Sequence, residues 1–493
     1  MTQITAPKRE KTYLALILLL GTVLRLWRLG NQSFWWDEVY SATLSAKSLG
    51  AVIPRFGQTP TLYHILLHFW LYLGQGDVWI RLLSVLFGVI GLWLIYLLGK
   101  SLLDARHGLL CAFLVAISPF HIWYSQEARM YSLLTLLSVA SMVFFVKFLK
   151  EDKRGMVYGW VLTTGLAVYT HYYAAFAIVA QFLFLIFFLP RYRSRWPRIL
   201  SAMGIMALFI LPIVILMLFG DQLANACAVG AGGNPVQIFS FPYTFFAFSM
   251  GFSYGPSIAE LHRSATFATV RPYLGQILPA LLLFAILFIA GLRSLWRERE
   301  RFVFLLLYML VPIVGAVLFS MLWPQLSFNV RYASTALAAY ILILARGLLA
   351  WRSKFVRWMF MALLVVFVLL SLHGHFYQDR YAKEDHRSAA EFISAYAEQG
   401  DVILTTHQIP FTYYYRGPLT VRSLFWSPKF YRQMIRWRVQ GSHRVWLVMS
   451  REWGVDPEGK MQSFMQEKYA TVVETTFANI YLSLYDMSIS PKR

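Results

Sequence analysis

Cysteine is nearly absent from this chain, acid is scarce and charge of either sign is thin, and each shortage removes a class of protein. Two cysteines in 493 residues, Cys111 in an apolar block and Cys227 in a loop, give neither a disulfide framework nor a metal-ligand spacing. Charged residues are 14% of the chain, where a soluble domain carries roughly 25%. Asp and Glu number 24 against 45 Lys and Arg, a formal charge of +21. A surplus of that size can mark a nucleic-acid binder. Here it is confined to short segments between apolar blocks: Lys8–Lys11, Lys100–Arg106, Lys150–Arg154, Arg191–Arg198, Arg293–Arg301 and Arg352–Arg357. No nucleic-acid partner is expected. Internal repeats and low-complexity linkers are also missing. No small-residue cleavage pattern follows Tyr13–Leu29, which reads as a retained first helix.

What the chain has is apolar length. It is 58% hydrophobic with a mean hydropathy of +0.53, and blocks such as Tyr13–Leu29 and Phe302–Leu322 are long enough for a hydrocarbon core of about 30 Å. Basic loops lie in every second position, and placing them inside gives about eleven spans. These run near Tyr13–Leu29, Ile80–Leu98, Leu109–Trp123, Tyr131–Leu149, Met156–Tyr169, Tyr173–Leu189, Ile199–Phe219, Leu274–Leu292, Phe302–Leu322, Tyr332–Leu349 and Val356–Leu372. Leu62–Leu73 is too short to span and reads as a helix lying at the outer interface. The expected fold is a polytopic α-helical membrane module over residues 1–373, followed by a small extracytoplasmic α/β domain over 374–493. In the latter, Asp385–Tyr396 has the apolar spacing of an amphipathic helix. Asp401–Leu404, Val445–Met449 and Ile480–Leu484 read as short strands, and Tyr413–Tyr415 as strand packing or a platform for sugar rings.

Four groups of polar residues fall on the outer face of this topology. Trp35-Trp36-Asp37-Glu38 follows the first span. A carboxylate there can take a proton from a hydroxyl or hold a divalent cation; the same tryptophans also suit an interfacial aromatic belt with solvated acids beside it. Tyr124–Tyr131 carries Glu127, Arg129 and Tyr131. On a continuous helix Glu127 and Tyr131 share a face, and charged residues at such a boundary are functional candidates. His171, in Thr170–Tyr173, suits a hydrogen-bonded structural role or a site. Arg331, in Phe328–Tyr332, can clamp a lipid phosphate or snorkel to headgroups. Together the four suit an outer cavity holding a carboxylate base and a cationic clamp for a phosphate leaving group.

These residues, in this order, resemble the glycosyltransferase C superfamily, and within it the protein O-mannosyltransferase and aminoarabinose-transferase-like family (glycosyltransferase family 39 type). The resemblance covers nearly the whole chain. Asp37-Glu38 matches the acidic motif of the first outer loop; Arg81–Lys100, Ser118-Pro119, Tyr124–Tyr131, Arg331-Tyr332 and Tyr381–Ala390 follow. It implies an inverting transfer of a hexose or pentose from a polyprenyl-phosphate carrier to a lipid, glycan or protein acceptor, in a bacterial inner membrane with the N-terminus cytoplasmic. Asp37 would be the base or would orient the acceptor, Glu38 and Glu127 would support it, and Asp37 with Glu127 could share a divalent metal. Trp36, Tyr63 and Tyr131 would contact substrate. One departure stands out: many relatives carry a His-Pro-Pro or Lys-Pro-Pro-like element where this chain reads Gln58-Thr59-Pro60-Thr61-Leu62-Tyr63-His64. The donor phosphate then falls to Arg331 with Tyr332, followed by Arg271, His171 and Arg129.

Two other classes compete. A lipid-linked sugar flippase would show repeated halves and polar, broken helices at mid-membrane, whereas here the helix interiors are apolar and the polar groups gather at one face. A non-catalytic membrane scaffold would need neither the acidic pair nor the arginines.

Overall fold

The computed structural model describes residues 7–53, 62–219, 240–322, 328–424 and 430–488. Cys227 and the Gln58–Thr61 stretch lie outside them. By its contacts the chain divides into two units: residues 1–29, 42–251 and 278–372 in the first, residues 30–41, 252–277 and 373–493 in the second.

The first unit is helical, and helices stand at all eleven expected places. Seven are long and apolar enough to cross a membrane, and a bent pair makes an eighth. The remaining three are marginal for stated reasons. Pro7–Leu26 carries Lys8, Arg9, Glu10, Lys11 and Arg25, Arg154–Thr170 has 17 residues, and Tyr172–Phe187 is also short. Burial ranks the spans: Tyr131–Glu151 and Val330–Ala350 are 83% buried and central, while Arg193–Leu216 and Lys354–Tyr377 are 22% buried and show their apolar flanks outward, as lipid-facing helices do. Leu274–Leu295 approaches Leu337–Ala350 through glycine. A Cβ on Gly347 would run into the Leu287 carbonyl and one on Gly291 into that of Ile343, so these backbones meet at a distance that other residues forbid.

The third expected span is not one straight helix. Ala105–Ile117 and Pro119–Ser125 meet at 63°. Pro119 has no N–H, so the Val115 carbonyl loses its ordinary helical donor, and Ser118 caps the second piece by accepting from His121 N at 3.3 Å. A fully buried arginine from the first helix fills the gap. Arg25 Nη2 donates to the Val115 carbonyl and Nη1 to that of Ala116, both at 3.0 Å. The guanidinium also reaches the Gly21 carbonyl at 2.8 Å, His121 Nδ1 at 2.8 Å and Ser125 Oγ at 3.2 Å.

The second unit is built on a five-stranded sheet of order β2-β1-β3-β5-β4, with β1 Val402–Thr405, β2 Thr420–Ser423, β3 Arg444–Ser450, β4 Ala470–Phe477 and β5 Ile480–Asp486. β1 pairs in parallel with β2 and β3, and β5 pairs antiparallel with β3 and β4. Alternate strand residues feed two apolar layers. Ile403, Trp446, Val448 and Leu482 pack on His386–Tyr396 and Gln408–Tyr414; Leu404, Val445, Leu447 and Tyr485 pack on Tyr431–Val439 and Lys460–Lys468. The expected amphipathic helix is His386–Tyr396, capped by Asp385, which accepts from Ser388 N at 3.2 Å. Tyr413–Tyr415 do not form a strand. They end the helix Gln408–Tyr414, because Phe411 and Tyr415 sit four apart, on one helical face, and stack inward at 5.6 Å.

Candidate active site

In the second unit, the helix Trp36–Ser45 places Asp37 and Glu38 in its first turn, where the N-terminal end favours negative charge. The turn is tied by the Trp35 carbonyl, which accepts from Glu38 N at 3.0 Å and Val39 N at 3.1 Å. The two acids have different surroundings. Glu38 is fully buried and its carboxylate takes the Lys383 ammonium at 3.1 Å. Asp37 is half-buried, and its backbone carbonyl accepts from Ser41 Oγ at 3.0 Å. Trp36 is exposed and stacks on Tyr40 at 6.0 Å. Trp35 lies between two cations, Lys383 Nζ at 5.7 Å from its ring and the Arg451 guanidinium at 5.8 Å. Arg271 stands exposed on the short turn Arg271–Tyr273.

In the first unit, the bend at Ser118-Pro119 aims Pro119–Ser125 so that Trp123 Nε1 donates to Glu127 at 2.9 Å. Glu127 and Arg129 are both buried, in the link between that helix and Tyr131–Glu151. Glu127 and Tyr131 therefore do not share a face of one helix; the chain turns between them, where Arg129 N bonds the Glu127 carbonyl at 2.8 Å. The Arg129 carbonyl accepts from Ser84 Oγ at 3.3 Å, and Ser84 is 2.9 Å from the hydroxyl of the fully buried Tyr63. Tyr63 thus reaches the site through Ser84 and the backbone of Arg129.

Four candidates come together beside this link. The Arg331 guanidinium lies 5.4 Å from the Tyr131 ring and 5.6 Å from that of Tyr332. Tyr332 stacks on Tyr173 at 4.7 Å and 17°, and the His171 ring is within 6.0 Å of Tyr131 and 5.3 Å of both Tyr332 and Tyr173. Burial, with the charges of Arg331 and Arg129 added, holds the His171 imidazole far below its ordinary range, at about 3. Among the described residues, no three His, Cys, Asp or Glu side chains stand close enough to form a metal site.

Sequence reasoning did not single out Lys383 or Arg451. A buried carboxylate requires a cation, but nothing along the chain indicates which one reaches Glu38 from 345 residues away.

Residues 58–215 match the family model described as dolichyl-phosphate-mannose-protein mannosyltransferase. The whole chain resembles ArnT from Cupriavidus metallidurans in the apo state, with a TM-score of 0.58 at 13% identity over 98% of this chain and 99% of that one. It also resembles the Archaeoglobus fulgidus oligosaccharyltransferase tethered with an acceptor peptide containing the NVT sequon, with a TM-score of 0.56 at 13% identity over 97% of this chain and 74% of that one. AglB from the same organism, in complex with an inhibitory peptide and a dolichol-phosphate, gives 0.52 at 13% identity over 96% and 74%. No curated protein matches the chain by sequence. The fold is that of the glycosyltransferase C membrane proteins. Within that fold, residues 58–215 resemble the dolichyl-phosphate-mannose-protein mannosyltransferases.

Proposed function

We propose that this protein moves a sugar from a polyprenyl-phosphate carrier to a lipid, glycan or protein acceptor at the outer face of a bacterial inner membrane, with inversion at the anomeric carbon. The observation that carries the reading is the acidic turn. Glu38 is buried and neutralised by Lys383, while Asp37, next to it on the same turn, keeps partial access to solvent. The fold shared with a dolichol-phosphate-bound oligosaccharyltransferase supports the choice of donor.

In this reading the acceptor oxygen attacks the anomeric carbon as the bond to phosphate breaks, through an oxocarbenium-like transition state. Asp37 takes the acceptor proton. The departing phosphate gathers negative charge, which suits the guanidinium of Arg331, with Arg129 behind it. The Arg331 guanidinium lies beside the rings of Tyr131 and Tyr332, and a guanidinium's planar fork matches phosphate oxygens.

The test is turnover of a panel of radiolabelled hexosyl and pentosyl polyprenyl phosphates by the purified protein, with and without chelator. General-base help is worth about 10²–10⁴ in rate, so Asp37→Asn should lose that much while melting like wild type. A variant turning over as fast as wild type would remove Asp37 from the mechanism. The donor that reacts identifies the sugar, and the chelator arm reports whether a divalent ion takes part.

A further inference from the structure

The segment Gly30–Ser41, which carries the acidic turn, belongs to the second unit. Its attachments there are made group by group. Ser33 Oγ donates to the Glu384 carbonyl at 2.7 Å, and Phe34 N donates to the Tyr414 hydroxyl at 2.7 Å. The Arg387 fork takes the carbonyls of Gly30 at 3.0 Å and Gln32 at 3.4 Å, with its guanidinium 5.4 Å from the Tyr414 ring. Lys383 N bonds Gln32 Oε1 at 3.3 Å while its ammonium holds Glu38.

The place on the domain where this happens is informative. The helix after β1, Gln408–Tyr414, packs on one face of the sheet, and Lys460–Lys468, after β3, packs on the other. Adjacent parallel strands whose following helices diverge leave a crevice at their carboxyl ends, where open α/β sheets take ligands. The chain leaves β3 through Arg451, at a φ of 52°, a left-handed conformation that a side-chain-bearing residue holds at a cost and that clusters at functional sites. Its guanidinium bonds the Glu384 carboxylate at 2.6 Å and covers the face of Trp35. A segment of this same chain thus occupies the position of a ligand.

We infer that the C-terminal α/β domain is the positioning device for the acidic turn, and that Lys383 is its positioning residue, acting through Glu38. The catalytic meaning of the turn rests on the function proposed above; the docking itself does not. Without Lys383, the buried Glu38 carboxylate loses this counter-charge, which favours its taking a proton or moving toward water. Asp37, one residue earlier on the same turn, moves with it.

The experiment uses the full chain in nanodiscs, with Lys383→Met, Lys383→Arg, Glu38→Gln and the Lys383→Met/Glu38→Gln double variant. Lys383→Met is expected to lower kcat for the reactive donor by about a hundredfold, the scale of a reacting group displaced by an ångström, with donor KM unchanged. Lys383→Arg should restore most of kcat, and the double variant should be no worse than Lys383→Met alone, because the two residues act as one unit. Hydrogen exchange should show residues 30–41 losing protection in Lys383→Met while β1 and β3 keep theirs. Wild-type kcat in Lys383→Met, a change confined to KM, additive losses in the double variant, or unaltered exchange in residues 30–41 would each overturn the inference. If the wild-type protein turns over no donor, the proposed function fails, and the exchange comparison still decides the docking.

Discussion

Replacing Arg25 by methionine tests the physical account of the bent third span. Arg25 is fully buried and serves acceptors that the proline break exposes. Methionine fills similar space but donates nothing. The Ala116 carbonyl then loses the Arg25 donor, and Val115 keeps the Ser118 N–H at 3.2 Å. His121 Nδ1 retains the Ser125 hydroxyl at 3.2 Å. The one impaired buried acceptor, the Ala116 carbonyl, costs about 1–3 kcal/mol, and the four other Arg25 hydrogen bonds, at about 0.5–1.5 kcal/mol each, bring the loss to about 3–9 kcal/mol. Against this, methionine no longer requires a cation to be held out of water with no carboxylate among its bonded partners, a relief of several kcal/mol in itself. The net expected loss is therefore about 1–3 kcal/mol. Lysine keeps the charge and loses the fork, so Arg25→Lys should cost more than Arg25→Met. Both are read from unfolding of the purified protein in mixed micelles of increasing denaturing detergent. Methionine at wild-type stability would show that the exposed carbonyls do not depend on Arg25, and lysine at or above methionine would show that the fork geometry does not matter.

Two further outcomes follow from close packing and from burial. Gly347→Ala sets a Cβ against the rigid Leu287 carbonyl and should sharply reduce the yield of folded protein, whereas Gly204→Ala, with open space around it, should fold normally and gain up to about 1 kcal/mol of helix propensity; equal yields would refute the close approach. The second unit should lose stability as pH falls from 6.5 toward 4. His386 and His407, held down to about 4 by burial foremost and then by neighbouring charge including Arg451, stay neutral in the folded state across a range where the unfolded chain binds protons. Burial raises Glu384, but Arg451 and His386 outweigh it and hold it at about 2, so its contribution goes later, as pH falls from 4.5 through 2. Tryptophan-fluorescence melts of the full chain check this, and a melting temperature flat between pH 7 and 4 would contradict it.

The helix positions were legible because an apolar block of the right length, closed by basic residues, has few other ways to satisfy its backbone in a membrane. The bend within Leu109–Trp123 was not read, although Ser118-Pro119 stands in plain view, since a break inside a membrane holds only where a neighbour supplies donors to the carbonyls it exposes. That neighbour is Arg25, on another helix. Strands β1, β3 and β5 are apolar runs and could be read. β2, Thr420–Ser423, is largely polar, and β4 alternates polar and exposed residues at the sheet edge, so neither stands out from loop. For the site, residue types were legible and their partners were not. Asp37 and Glu38 announce a site by local grouping, while the different fates of the two acids depend on Lys383, far along the chain. Arg331 was identifiable as a boundary cation; that it rests on Tyr131 and Tyr332 needed the fold.

The pairing of Glu38 with Lys383 also bears on how the protein comes into being. A ribosome adding about 5–20 residues per second needs about 20–70 s to travel the 345 residues between them. Through that interval the loop bearing Asp37 has already been made but has nothing to dock on. A chain interrupted anywhere before its last quarter would insert its helices and carry every acidic residue of the first loop, yet lack the groups that hold that loop still. On the function proposed above, competence then waits until Lys383 has been made, and shorter chains would not act on a carrier lipid.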